Sequence, residues 1–292
     1  MIKRESKQTI INAAIQEYLD TPETARSLTQ IGRKYGVKRQ TLSKYLKLYG
    51  HEVINYQNLH RLNETIFDSI DTEEKAYWLG FLYADGNISS EGYRLEVNLS
   101  IKDLSHMQKL ATFLNLTTDI RLNVSGDICR ISARSRHLWE TLNAKGCVPC
   151  KSLILEFPNS EIFLQKELIY DFIRGYCDGD GCLCTYKRRN SMVTALNFVG
   201  TEKFLMEVER VLKIKGYIRN KTSKNYINNA YSLTYSGVSA RKVARLLYEK
   251  ASVYLDRKYN KYKLFCLLEE GSSRRKSSKI GEGWDANTEI TN

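Results

Sequence analysis

At 292 residues the chain exceeds one ordinary domain, so two or three folded units are expected. Its 45 Lys and Arg outweigh 33 Asp and Glu for a formal net charge of +12, the balance of a protein that meets a polyanion, with nucleic acid the first candidate. No apolar run is long enough to span a bilayer, and the polar opening MIKRESKQTI lacks the apolar stretch of a secretory signal; this argues against a membrane partner and secretion, and for an intracellular setting, cytoplasm or organellar matrix.

Residues 10–19 (IINAAIQEYL) carry helical periodicity. In the segment 27–50 (SLTQIGRKYGVKRQTLSKYLKLYG), Leu28, Ile31 and Tyr35 mark a short helix and Gly36 supplies the positive φ of a tight turn. Val37, Leu42, Tyr45 and Leu46 seat a second helix on the first. This is a helix-turn-helix layout, with Lys38, Arg39, Gln40, Ser43 and Lys44 outward on the second helix, able to reach phosphates and base edges. The bland alternative is a helical hairpin with a solvated basic face. The segment resembles the small helix-turn-helix units of resolvases and transposases, and residues 1–56 are assigned to a DNA-binding domain, followed by a polar linker over 57–72.

Residues 73–158 and 159–268 then repeat one pattern. Each copy opens with a helix ending in an acid and a glycine, EEKAYWLGFLYADGNI and KELIYDFIRGYCDGDGCL. Strand signals follow at YRLEVNLSI (93–101), TDIRLNV and ICRIS in the first copy, and at CLCTYK, MVTALNFV, GYIRNKT and AYSLTYS in the second. The expected fold is α+β, with αββαββα twice in pseudo-twofold symmetry behind a small all-α unit.

Asp71 with Glu74 has the spacing of a capping box at the start of the first opening helix. Gly80 and Ala84 in one copy, and Gly175 and Gly179 in the other, lie four residues apart on one helical face, where small residues let two backbones approach. Packing through those faces would set Asp85 and Asp180 side by side. Helix C-termini disfavour negative charge, so two acids there are unfavourable without a cation; carboxylates and carbonyls are hard oxygen ligands suited to Mg²⁺. Beside DNA, that arrangement suggests metal-assisted phosphodiester hydrolysis. A single Asp-Gly would read as an ordinary helix stop with Gly86 or Gly181 at C′; two copies with small residues at matching offsets argue otherwise.

WLGFLYADG (78–86) and IRGYCDGDG (173–181) resemble the two motifs of LAGLIDADG homing endonucleases, and the resemblance extends to KGCVPCKSLILEFP (145–158) and YLDRKYNKY (254–262). It implies a site-specific double-strand DNA endonuclease using Mg²⁺ or Mn²⁺, with Asp85 and Asp180 as metal ligands beside the carbonyls of Ala84 and Gly179, and Lys151 and Lys258 as active-site lysines. Fused repeats imply a monomer. Two departures stand out. Tyr83 replaces the first Asp of the family name, at a position expected to face away from the metal. Ile101, and Val199 or Gly200, occupy places where some members carry a water-positioning Gln.

Leu95, Val97, Leu99 and Ile101 alternate with polar residues, the mark of a sheet with one buried face. The polar face is free for a DNA groove, with Arg94, Asn98, Arg121, Asn123 and Arg130 from the first copy; in the second, the loop of Lys187, Arg188 and Arg189, with Arg219 and Lys221, offers the same chemistry. Cys147 and Cys150 have CxxC spacing, but Cys182 and Cys184 are too tight for the usual zinc ribbon, so the seven cysteines read as reduced thiols. Residues 269–292 lack apolar periodicity and are expected to be a disordered basic tail. Competing readings are a non-cleaving DNA-binding regulator and an intron maturase that binds intron RNA.

Overall fold

The structure, a computed structural model, describes residues 6–21, 27–51, 62–117, 119–189, 191–221 and 230–281, with side chains through residue 268. Parts of the expected N-terminal domain (1–5, 22–26, 52–56), linker (57–61) and tail (282–292) lie outside the described residues. The chain divides into two compact units, Met1–Leu62 with Asn115–Thr118, and the remainder. Among the described residues no helix is long and apolar enough to cross a membrane.

The first unit packs α1 (Lys7–Asp20), α2 (Leu28–Tyr35) and α3 (Arg39–Leu48) around Ile11, Ile15, Tyr18, Leu28, Ile31, Leu42 and Leu46. Each such side chain contributes about 1.5–3 kcal/mol by leaving water. Ser6 and Ser27 cap α1 and α2 through their hydroxyls, and Gly36, at φ 67°, ends α2 in the left-handed conformation that the sequence called for.

The second unit holds both copies. The first runs α4 (Glu73–Asp85), β1 (Gly86–Ser89), β2 (Arg94–Ser100), α5 (Leu104–Phe113), β3 (Arg121–Leu122), β4 (Ile128–Arg134) and α6 (Arg136–Ala144). The second runs α7 (Leu168–Asp180), β5 (Gly181–Arg188), β6 (Ser191–Gly200), α8 (Glu202–Leu212), β7 (Tyr217–Asn220), β8 (Tyr231–Ser236) and α9 (Val238–Tyr248), followed by α10 (Asp256–Gly281). The fold is therefore α+β with two antiparallel four-stranded sheets, ordered β1-β2-β4-β3 and β5-β6-β8-β7. In the first sheet Leu95, Val97, Leu99, Cys129, Ile131 and Ala133 are buried on one face, over which α5 and α6 contribute Met107, Leu110, Leu138 and Leu142.

The register of the MVTALNFV strand, open in the sequence, follows from its pairing. Leu196 and Phe198 line up with Leu183, Tyr235 and Leu233 on the buried face, leaving Ala195, Asn197 and Val199 on the other.

Several expectations are corrected. The cap of α4 is Thr72, which accepts from Lys75 N at 3.3 Å, whereas Asp71 lies one residue too early and pairs with Lys75 Nζ at 2.8 Å. Residues 63–72 are not linker: Phe67 and Ile70 are fully buried, with Ile70 bridged to Phe163. Residues 269–281, expected to be disordered, continue α10, because a helix already nucleated by packed residues propagates without needing an apolar face of its own. At Gly86 and Gly181 nothing is corrected: the ordinary left-handed helix stop, set aside for the paired motifs, is not what the structure holds, since their φ values are −72° and −91° and each starts a strand.

Candidate active site

Helices α4 and α7 pack face to face along their small residues. A Cβ on Gly80 would overlap the Phe172 carbonyl, and one on Gly175 the Tyr77 carbonyl, so only glycine permits this approach. Further along, Gly179 faces Ala84 so closely that a Cβ there would also lie 3.2 Å from Asp85 Oδ2. The two motif acids thus meet at one end of the pair. Burial raises the Asp85 carboxyl and the charge of Asp180 raises it further, to about 6. Asp180 is also raised by burial, though it keeps an exposed edge and Lys151, Lys258 and Lys221 oppose the rise.

No group of three or more His, Cys, Asp or Glu able to hold a metal occurs among the described residues. A cation at this end would therefore depend on the two carboxylates, helix-end carbonyls and water. That donor set is all oxygen and fits a hard divalent ion that keeps part of its hydration shell. The carbonyl of Gly179, one expected ligand, already accepts from Lys258 Nζ at 3.3 Å.

Both predicted lysines reach the helix ends, unequally. Lys151 is half-buried and its ammonium donates to the Gly86 carbonyl. Lys258 is 4% exposed and lies within hydrogen-bonding distance of four carbonyls, Cys177 and Asp178 at 2.6 Å, Gly181 at 2.8 Å and Gly179. An ammonium has three N–H groups, so this cradle leaves none free.

Tyr83, as expected, faces away from the acids: its hydroxyl donates to the Lys145 carbonyl and its ring meets Phe172 edge-on at 4.9 Å. Its counterpart Asp178 was not singled out in the sequence. It is fully buried, accepts from Tyr77 Oη, Tyr248 Oη and Leu255 N, each at 2.7 Å, and is raised by burial. Also missed was Arg174, buried against Glu73 at 2.7 Å and Asp171 at 2.6 Å. Its place within the repeated motif was the available signal. Ile101 opens a one-turn 3-10 helix rather than ending a strand, and the Val199 carbonyl accepts from Tyr176 Oη at 2.6 Å, so no side-chain amide stands at these positions.

The sheet faces divide the predicted DNA contacts. Arg94 lies opposite Arg134, and Asn98 opposite Arg130, whose Nε donates to Asn98 Oδ1 at 2.6 Å; Arg121 pairs with Arg130 on the same face. Arg134 belongs to this set and was missed because its strand signal stops at Ser132. Asn123 is occupied otherwise: its Oδ1 accepts from Ile128 N at 3.0 Å and its Nδ2 donates to Ser125 and Asp127 at 2.9 and 2.7 Å, fixing the β3-β4 turn. In the second copy Lys187 and Arg188 are the end of β5 and not a loop. Lys187 pairs with Met192, on the strand parity of Leu183, so it sits on the other side from Arg188, Arg219 and Lys221. Arg189 takes the turn at φ 54°. Lys38, just before α3, and Arg39, Gln40 and Lys44 on it are exposed and Ser43 is half-buried; Arg39, Gln40, Ser43, Lys44 and Lys47 line one shallow basic concavity.

The thiols are free and form no metal-holding group among the described residues: Cys147 is buried with its thiol directed at the Leu82 carbonyl and raised to about 11 by burial, Cys150 and Cys182 are exposed, and Cys182 lies beside Cys184.

No family model matches the chain, and no curated protein matches it. Among solved structures it is similar to the LAGLIDADG homing endonuclease I-LtrWI bound to target DNA, at 14% identity and TM-score 0.49, over 77% of this chain and 99% of that one. The meganuclease I-SmaMI bound to uncleaveable DNA is 12% identical with TM-score 0.48, over 67% of this chain and 90% of that one. The chain is likewise similar to the LAGLIDADG meganuclease I-AabMI bound to uncleaved DNA, at 14% identity and TM-score 0.46, over 71% of this chain and 97% of that one.

Proposed function

We propose that the chain is a LAGLIDADG homing endonuclease that acts as a monomer and cuts both strands of a long double-stranded DNA site with Mg²⁺ or Mn²⁺. The observation that carries this reading is the meeting of Asp85 and Asp180 at the shared end of two glycine-packed helices, where burial and the charge of Asp180 raise Asp85 to about 6. Asp85, Asp180 and the carbonyls of Ala84 and Gly179 would hold the ion, which when bound supplies an activated water and offsets charge on the leaving oxygen. Lys151 has N–H groups beyond its one carbonyl partner and can steady charge growing on a phosphate. Lys258 has none to spare, so its part is to fix the carbonyls beside Asp180. The polar sheet faces then lie along the DNA, and α3 extends the contact.

The test is incubation of the full chain, in Mg²⁺, with a plasmid bearing the uninterrupted form of its own locus. A discrete linear product is expected. A footprint with no cutting at any metal concentration would overturn the nuclease reading in favour of a regulator. Removing residues 1–56 should shorten the footprint and lower affinity while leaving the cut position where it was, checked by end-label mapping.

A further inference from the structure

The segments that carry the two lysines are each anchored on the opposite copy. The first, residues 145–158, places Phe157 against Phe172 of α7 and Phe204 of α8, with ring centroids 5.5 and 5.4 Å apart. Its Leu155 carbonyl accepts from Thr201 Oγ1 at 2.5 Å, and Thr201, directly after β6, is 4% exposed. The second segment, leading into α10, lies along the first copy. Ser252 N and Oγ donate to Glu73 at 2.7 and 2.9 Å, and Lys109 Nζ reaches Asp256 at 3.0 Å. Arg257 Nε donates to both oxygens of Asp103 at 2.9 and 3.1 Å. Asp103 follows β2 closely, as Thr201 follows β6, and is 7% exposed.

We infer that Asp103 and Thr201 are positioning residues, each setting the lysine of the opposite copy: Asp103 sets Lys258 through Arg257, and Thr201 sets Lys151 through Leu155. The segment around Lys151 is irregular and Lys258 sits in the first turn of α10, so no strand ladder fixes either lysine. Side-chain anchors on both copies, Tyr83 and Asp178 on the lysine's own and Thr201 and Asp103 on the opposite one, therefore place the segments that bring each ammonium to its carbonyls. The Asp103–Arg257 bond is charge-assisted and engages both oxygens of a buried carboxylate, although the exposed side of Arg257 is screened by water, and the Thr201 bond satisfies a buried carbonyl. Neither copy completes its half-site alone. The glycine-packed helices bring the acids together, and the crossed segments bring the bases to them.

The consequence for cutting rests on the nuclease reading, whereas the positioning itself is read without DNA. In the full chain, ¹⁵N-edited spectra of lysine ammonium groups should show Lys258, shielded by its carbonyl cradle, as a slowly exchanging signal assigned by its loss in Lys258→Met. Asp103→Asn should shift or broaden that signal; Thr201→Val should leave it in place. With DNA labelled on both strands, Asp103→Asn should slow one strand and Thr201→Val the other, each by about 10- to 100-fold, the cost of misplacing a group by roughly an ångström. Thr201→Ser, which keeps the hydroxyl, should recover the rate. If Asp103→Asn does not fold, Arg257→Lys breaks the same paired bond from its other side and replaces it. An unmoved Lys258 signal, or equal slowing of both strands by each variant, overturns the inference. Absence of cutting by the unaltered chain overturns the nuclease reading instead, and the spectra alone then decide the positioning.

Discussion

In the first copy the residue two before the motif acid is Tyr83, a donor that reaches the Lys145 carbonyl; in the second it is Asp178, an acceptor that takes the Leu255 amide. Both hold the start of a lysine-bearing segment, with donor and acceptor exchanged on the two sides of the bond. The position therefore demands a partner for the segment's backbone and not a particular residue, which is why a tyrosine can stand where a carboxylate does. The exchange has an electrostatic price. A neutral hydroxyl is buried easily, whereas the Asp178 carboxylate needs Tyr77 and Tyr248 as further donors. The lysines differ in the same direction, with Lys151 half-buried on one carbonyl and Lys258 enclosed by four. Of the lysines, that of the second segment is the more enclosed and that of the first the more accessible; of the acids, it is Asp180 that keeps an exposed edge.

The comparison breaks most sharply if the acids are unequal. Asp85→Asn and Asp180→Asn should each lower double-strand cutting by at least roughly a thousandfold, about 4 kcal/mol of barrier, with DNA affinity in a chelator retained. Plasmid conversion and gel shifts measure the two. Robust linear product from either variant would mean that one copy suffices.

Next in size is the helix pair. Gly175→Leu should prevent folding and Gly175→Ala should cost about 1–3 kcal/mol, since the added atoms meet the Tyr77 carbonyl and no rotamer escapes it. Urea denaturation checks this; an unchanged midpoint for the Ala variant would show that the helices part easily and that the acids are not held together by glycine.

These helices were the most legible part of the chain, because small residues at a four-residue spacing state a steric requirement that local sequence alone expresses. The αββαββα order was readable for the same reason, with alternation in Leu95, Val97 and Leu99 reporting one buried face. What stayed hidden depends on distant partners. Asn123 has the side chain of a base reader, and only the closing of the β3-β4 turn on Ile128, Ser125 and Asp127 consumes it. Phe67 and Ile70 carry no periodicity and become core only because Phe113 and Phe163 come to them. Strand β1, GNIS, is too short to announce itself and is defined by pairing with β2. The crossing of Arg257 to Asp103 spans 154 positions, which no spacing rule reaches.

Substituting the lysines sharpens the contrast between the copies. Lys258→Met strands several buried carbonyls and should destabilise the chain by about 2–4 kcal/mol, at roughly 1–3 kcal/mol for each group left unsatisfied after relaxation. Lys151→Met, at a half-buried site with one carbonyl partner, should cost less than about 1 kcal/mol while still impairing cutting. Thermal melting of both, alongside cutting by each, separates a structural lysine from an accessible one. Equal loss of stability would erase the asymmetry.

The smallest effect concerns Asp85 without metal. Its carboxyl titrates near 6 in the folded chain and near 3.9 when unfolded. Between those values the folded chain keeps a proton that the unfolded chain has released, so stability declines as pH rises through the window, and the penalty is complete above it. Asp85→Asn removes the titrating group. Its melting temperature in a chelator should match that of the unaltered chain below about pH 4, pull ahead through the window, and hold a constant lead above about pH 7. Two pH units set a ceiling of about 3 kcal/mol; partial solvent access and relaxation of the helix ends bring the expected gain to about 1–2 kcal/mol, a few degrees for a unit of this size. Added Mg²⁺ should reverse the order, since it stabilises the chain that keeps both acids and not the variant. The same pair of melts with Asp180→Asn should show a smaller gain, because Asp180 has an exposed edge and three lysines oppose the rise that burial causes. A lead that does not change with pH would mean that burial and the neighbouring acid do not govern Asp85, and that the two carboxylates stand farther apart in solution than their helices allow.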